Sequence, residues 1–64
     1  MRTDLKVLRV KHGLTQTDLA KMLGVSVATY CLIEQGKRRG SVENWLKIQQ
    51  IFKLGDAEVW NLQK

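Results

Sequence analysis

The sequence LTQTDLAKMLGVS, residues Leu14 to Ser26, carries the clearest structural signal in this chain of 64 residues. Its leucines recur at helical spacing until a glycine interrupts them, and a serine follows shortly afterwards. Gly24 can adopt a positive φ, and the small Ala20 allows two helices to cross closely over a short connection. Ser26 offers an oxygen to the free amides of the next helical turn. We therefore predict two helices joined by a tight turn, a helix-turn-helix.

Glycines and capping residues divide the rest of the chain into helices as well. Glycines that can end a helix stand at positions 13, 24, 36 and 55. Residues that can cap a helix start are Thr3, Thr15, Ser26, Ser41 and Asp56. The chain has no proline and no strand-like alternation. These signals predict an all-α fold, a single domain over residues 1–64, with helices near 3–12, 16–23, 27–35, 42–53 and 57–63.

Positive charge is concentrated in the first part of the chain. The formal net charge is +5 and the isoelectric point is about 9.8. Residues 1–40 hold eight Lys or Arg and three acids, whereas residues 41–64 hold three of each sign. The densest cluster is Lys37, Arg38 and Arg39. This distribution favours nucleic acid as a partner, although a solvated basic loop explains such a cluster equally well when it is considered alone.

Several functional classes are disfavoured by what the sequence contains. A chain of 64 residues is too short to enclose a large enzyme cleft. Cys31 is the only cysteine, and no export signal or long apolar run is present, so we expect a cytoplasmic protein without a membrane segment. No paired carboxylates, metal-ligand spacing or phosphate-binding glycine loop occur. We therefore expect no catalytic residues, metal, cofactor or small-molecule ligand.

A longer match appears when the sequence IEQGKR, residues 33–38, is added to the helix-turn-helix. Together these stretches resemble the phage Cro and repressor family of helix-turn-helix DNA-binding domains, which includes xenobiotic-response-element-like regulators. The resemblance extends from about Leu5 to Trp60. It implies a compact five-helix lambda-repressor-like DNA-binding domain with the helix-turn-helix at helices 2 and 3. It also implies that a recognition helix near residues 27–35 enters the major groove of double-stranded DNA.

The resemblance also assigns roles to individual residues. It implies a structural ion pair between Arg9 and Glu34. Contacts to the DNA backbone are expected from Gln16, Thr17, Ser26, Lys37, Arg38 and Arg39. Base readout is expected from Val27, Ala28, Thr29 and Leu32. Family members usually carry polar side chains at these reading positions, so this mostly apolar set predicts recognition of the thymine C5-methyl group.

The favoured function is a sequence-specific transcriptional regulator of the Cro type, from a phage or prophage, that represses by occupying an operator. We expect no separate sensor domain. One short helix reads too few bases to select an operator, so a homodimer is expected. Its predicted interface consists of Ile51, Val59, Trp60 and Leu62. The alternative is a protein-binding helix-turn-helix module, an antirepressor or antitoxin, that uses the apolar face of helix 3.

Overall fold

Five helices make up the fold in the computed structural model, which describes residues 2–63. They are α1 (Thr3–Lys11), α2 (Gln16–Leu23), α3 (Val27–Glu34), α4 (Val42–Phe52) and α5 (Asp56–Gln63). No strand occurs among the described residues. The all-α prediction is confirmed, and every predicted helix end lies within one residue of the observed end.

The hydrophobic core receives side chains from every helix. Leu5, Leu19, Tyr30 and Ile48 are completely buried, and each comes from a different helix. The other core residues are Ala20, Leu23, Ile33, Trp45, Phe52, Val59 and Leu62. Helix α2 packs against α3 and α4, α1 packs against α3, and α5 packs against α4. The α2–α3 pair is therefore supported by the rest of the fold on its inner side.

Three of the predicted helix caps are confirmed. The side chains of Thr15, Ser26 and Ser41 each accept a hydrogen bond from the backbone N–H three residues later. At Thr15 the cap is reciprocal, because the Asp18 carboxylate accepts from the Thr15 backbone N–H at 2.9 Å. Each bond satisfies an amide that has no partner inside the helix. These caps fix the starts of α2, α3 and α4 at the predicted places.

Three other predictions about helix ends are wrong. Thr3 and Asp56 are the first residues of α1 and α5 rather than their caps. The Asp56 carboxylate instead accepts a hydrogen bond of 2.7 Å from the amide of Gln49, which ties α4 to α5. Gly55 was expected to end α4, but Lys53 occupies the left-handed position there, with φ 53°. A non-glycine residue is uncommon in this conformation, which is why composition did not indicate it.

Candidate nucleic-acid interface

The turn between α2 and α3 has the conformation that the sequence predicts. Gly24 lies in the left-handed region with φ 73° and ends α2. The backbone N–H of Val25 then donates to the carbonyl of Ala20 at 3.0 Å, which closes the turn. Ala20 is only 1% exposed, so its small side chain lies at the helix crossing. The result is a short connection that holds α3 directly against α2.

A buried network of polar side chains holds the inner side of α3 in place. The Glu34 carboxylate is 2% exposed and accepts hydrogen bonds from Arg9 Nε at 2.9 Å and Arg9 Nη2 at 3.3 Å. It also accepts from the Tyr30 hydroxyl at 2.6 Å and from the Gln16 amide at 3.3 Å. Arg9 donates in addition to the carbonyl of Leu14 at 2.8 Å. One carboxylate therefore links α1, α2 and α3.

The network also controls the protonation states of its members. Burial alone would raise the pKa of Glu34, but hydrogen bonds from Arg9 and Tyr30 outweigh burial and keep that pKa below its ordinary value. The bond to Glu34 raises the pKa of Arg9. Burial, aided by the same carboxylate, raises the pKa of the Tyr30 hydroxyl. At neutral pH Glu34 is thus charged and acts as a hydrogen-bond acceptor, while its partners remain hydrogen-bond donors.

The outer face of α3 is mostly apolar. Val27 and Leu32 are 39% and 37% exposed, and Ala28 between them in sequence is exposed as well. Thr29 is half-buried, and its hydroxyl oxygen accepts from Ser26 Oγ at 2.9 Å, so its own hydrogen is left to donate. The structure therefore brings the four predicted reading residues to one exposed helix. Among them, Thr29 alone has a polar side chain.

Gln16 is more restrained than the resemblance implies. Its amide nitrogen donates to Glu34, and its amide oxygen accepts from Cys31 Sγ at 3.3 Å. The neighbouring Thr17 is exposed at the first turn of α2, and Ser26 is exposed before α3. The polar group of Gln16 is thus used inside the protein, whereas Thr17 and Ser26 are accessible at the helix-turn-helix surface.

The three cations that follow α3 lie on a loop whose backbone is firmly attached to that helix. The backbone N–H groups of Lys37 and Arg38 donate to the carbonyl of Leu32 at 2.9 and 3.2 Å. The indole N–H of Trp45 donates to the carbonyl of Arg39 at 2.8 Å. Lys37, Arg38 and Arg39 are all exposed. We call residues 37–39 the basic loop. Arg38 and Arg39 line one surface pocket together with Thr29 of α3.

Arg2 makes contacts with this loop that sequence reasoning did not anticipate. Its guanidinium donates to the carbonyls of Ile33 and Arg38, the second at 2.8 Å, and to that of Gln63 at 3.2 Å. It also lies over the ring of Trp45, 5.3 Å from the ring centroid. The partners are backbone carbonyls from distant segments, so no sequence motif points to them.

The residues predicted for a dimer interface do not form one surface. Val59 and Leu62 are each 8% exposed and belong to the core, so the prediction that they meet a second copy is corrected. They were misplaced because α5 packs against α4 through them. Ile51 is half-buried against the core, whereas Trp60 is 60% exposed. Of the four residues, Trp60 is therefore the one that presents a large apolar surface.

Two further apolar side chains are exposed on α4. Val42 is 77% exposed and Leu46 is 54% exposed, one helical turn apart. They line a shallow groove between α4 and α5, together with Gln49 and Gln63. The sequence predicts that both residues lie on α4, but it does not distinguish them from the buried apolar residues of the same helix.

Within residues 2–63, no helix is long and apolar enough to cross a membrane. In that same part of the chain, no group of three or more His, Cys, Asp or Glu side chains is placed to hold a metal ion.

Comparison with known proteins gives a consistent family assignment. A helix-turn-helix family profile of the Cro/C1 type matches residues 5–59. An uncharacterized HTH-type transcriptional regulator from Methanocaldococcus jannaschii is 48% identical over 60 residues, which cover 94% of this chain and 91% of the relative. An uncharacterized HTH-type transcriptional regulator from Archaeoglobus fulgidus is 35% identical over 68 residues, covering 94% and 97%. No solved structure gives a significant match. The chain therefore belongs to the Cro/C1-type helix-turn-helix family.

Proposed function

We propose that this protein is a sequence-specific transcriptional regulator that occupies a DNA operator with α3 in the major groove. Membership of its family indicates a DNA-binding regulator rather than an enzyme. The observation that carries the proposal centres on Leu32. Its side chain belongs to the exposed apolar face of α3, and its carbonyl binds the backbone of the basic loop. The apolar side chains suited to bases and the cations suited to phosphates are thereby held in neighbouring segments.

The two surfaces have different tasks in this proposal. Lys37 and Arg38 supply affinity through phosphates, and each such contact contributes roughly 0.9 to the slope of log affinity against log salt concentration. Val27, Ala28 and Leu32 supply selectivity by covering thymine methyl groups. Each methyl group buried in this way contributes about 0.8 kcal/mol, close to a fourfold preference. Affinity then depends strongly on salt, while sequence preference depends on thymine.

Polar groups near the reading face complete the contact. Thr17 and Ser26 are exposed close to the first turns of α2 and α3, where free backbone amides favour phosphate oxygens. The Thr29 hydroxyl can donate to a base edge. Gln16 reaches DNA only if its amide leaves Glu34, so we assign it first to supporting the buried network.

We infer that the regulator binds DNA as a homodimer. Two copies of α3 would meet half-sites about 34 Å apart on one face of the duplex. The exposed apolar residues Val42, Leu46 and Trp60 are better candidates for pairing than the buried Val59 and Leu62. Repression follows if the dimer excludes the transcription machinery from its operator. A cytoplasmic location and a phage or prophage source remain parts of the prediction.

The experiment that tests thymine reading starts with selection of bound duplexes from a random pool. The selected operator is then synthesised with deoxyuridine in place of the thymines opposite α3. This change deletes the methyl groups and leaves every hydrogen-bonding edge intact. We expect affinity to fall about fourfold for each methyl group that is read. The same replacement outside the half-sites serves as the control. Equal affinity for both operators would reject methyl readout.

A protein-binding role is the second candidate, and the exposed Val27 and Leu32 favour it. In this case α3 grips a partner protein, as an antirepressor or antitoxin would. The random-pool selection separates the two functions. Enrichment of a defined operator supports the DNA-binding regulator, whereas a pool that stays random and binds weakly at all salt concentrations supports the protein-binding module.

A further inference from the structure

The guanidinium of Arg2 lies where two helices end. It donates to the carbonyl of Ile33 at the end of α3 and to that of Gln63 at the end of α5. The Arg2 backbone N–H donates to the carbonyl of Glu34 at 2.9 Å. Carbonyls at helix C-termini lack intrahelical partners and carry partial negative charge, so a cation between two such ends is stabilised. Arg2 thus joins α3 to α5.

The same guanidinium also fixes the basic loop. It donates to the carbonyl of Arg38 at 2.8 Å, and the next carbonyl, that of Arg39, accepts from Trp45 Nε1 at 2.8 Å. The ring of Trp45 in turn supports the guanidinium. Gly40 leaves room for this arrangement, because a Cβ there would lie 3.1 Å from Trp45 Nε1. Two consecutive loop carbonyls are therefore bound by side chains that lie outside the loop in the sequence.

We propose that Arg2 is a positioning residue that orients the basic loop for contact with DNA phosphates and does not itself bind DNA. The inference rests on the proposed function. Its physical basis is the planar fork of arginine, which reaches carbonyls on several sides, whereas the ammonium of lysine carries all its donors on one nitrogen. Burial lowers the pKa of Arg2, and the nearby Arg39 acts in the same direction. The contacts of its guanidinium are with backbone carbonyls and with the Trp45 ring.

Three variants test this role through the salt dependence of binding to the selected operator. Arg2→Met removes the fork, and Arg2→Lys keeps the charge. Lys6→Met removes a charge from an exposed position on α1, the helix that Arg2 precedes. We expect Arg2→Met and Arg2→Lys both to lower the salt slope by roughly 1.8 to 2.7, the value for two or three phosphate contacts. Lys6→Met should lower it by about 0.9 at most.

Two binding results would overturn the inference. The first is a normal slope in Arg2→Lys, because charge alone would then suffice. The second is a loss of only about 0.9 in Arg2→Met that adds fully to the loss in Arg38→Ala, which would indicate a direct phosphate contact by Arg2. Trp45→Phe provides a milder variant, since it keeps a smaller ring below Arg2 and deletes the donor to Arg39. We expect its slope to lie between those of the wild type and Arg2→Met.

Amide hydrogen exchange tests the same inference without DNA. The amides of Lys37 and Arg38 are hydrogen-bonded to Leu32. Faster exchange at both amides in Arg2→Met and Arg2→Lys, but not in Lys6→Met, is the expected result. Unchanged exchange would reject the positioning role even if the wild type binds DNA. If the wild type bound no duplex in a salt-dependent way, the proposed function would fail, while the exchange result would still decide whether Arg2 holds the loop.

Discussion

The stability of the fold depends on the Glu34 carboxylate being charged. It is 2% exposed and accepts hydrogen bonds from Arg9, Tyr30 and Gln16. Removing one side of a buried ion pair leaves the other side uncompensated, which costs about 3 kcal/mol. The same residue ends the helix that we propose reads DNA, so this stability requirement and the position of the reading face are coupled.

Acid should destabilise the protein through Glu34. Its pKa in the folded state lies below the ordinary value, which the unfolded chain has, so the unfolded state binds a proton first as pH falls. The stability from Glu34 is complete above about pH 5 and is lost as pH falls through the folded-state pKa. Glu34→Gln should cost about 3 kcal/mol at neutral pH and flatten this acid dependence. Urea unfolding at a series of pH values measures both effects.

Asp18→Asn is the control for that experiment. Asp18 also has a lowered pKa, caused by hydrogen bonds from the Thr15 backbone and side chain, but it is exposed at the surface. The control should therefore keep the acid dependence that comes from Glu34. If Glu34→Gln lost as much stability on acidification as the wild type, the assignment to Glu34 would be wrong.

The segment between α3 and α4 depends on the conformation of Gly40. Its φ of 82° is unfavourable for any side chain, and an added Cβ would approach Trp45 Nε1 to 3.1 Å. Gly13, after α1, has a similar φ of 71° but nothing within 4 Å of an added Cβ. Substitutions at these two glycines can therefore distinguish the effect of backbone strain from the effect of crowding.

Gly40→Ala should destabilise the protein more than Gly13→Ala does. The Gly13 change introduces left-handed strain alone, about 1–2 kcal/mol, whereas the Gly40 change adds a displacement of the Trp45 side chain. Thermal unfolding followed by circular dichroism compares the two. Gly40→Ala should also reduce binding to DNA, because Trp45 holds Arg39. Equal losses of stability in the two variants would show that the displacement of Trp45 adds nothing to the free-energy cost.

Helix ends could be predicted where the signal is local. Thr15, Ser26 and Ser41 act on amides three residues away, so their sequence neighbourhood contains the whole interaction. The left-handed Lys53 could not be predicted, since a non-glycine residue rarely adopts that conformation. The role of Asp56 could not be predicted either, because its carboxylate is occupied by Gln49 from another helix. Local capping chemistry is readable from the sequence, and contacts between helices override it.

The molecule as a whole should pair through the exposed residues of α4 and α5. Leu46→Glu introduces a charge at a position that is 54% exposed, and we expect it to weaken pairing without unfolding the monomer. Sedimentation velocity, with and without the selected operator, measures the change. Ile51→Glu is a poorer probe, because Ile51 packs against the core.

Val7→Glu is the matched control for Leu46→Glu. Val7 is 56% exposed on α1, so the substitution changes the net charge equally on a different face. Weaker pairing in Leu46→Glu but not in Val7→Glu supports the α4–α5 surface. Equal pairing in both variants would place the interface elsewhere.

The candidate site was only partly readable from the sequence. The turn at Gly24 and the cluster of cations are each formed by residues that are neighbours in the sequence. Both could therefore be located by inspection. The contacts of Arg2 could not, because its carbonyl partners come from α3, the basic loop and α5. Burial of Val59 and Leu62 was missed for a related reason: helix periodicity does not tell which face meets a neighbouring helix.

Arg9 of α1 and Arg2 just before it both bind the end of α3, and they leave α3 little freedom to adapt to a ligand. Arg9 holds the Glu34 carboxylate, while Arg2 holds the carbonyls of Ile33 and Glu34. If so rigid a helix binds DNA as we propose, the duplex has to bend or twist to fit it. On the proposed function, operators would then differ in affinity even at base pairs between the half-sites that no side chain touches, with easily deformed steps such as TA preferred there.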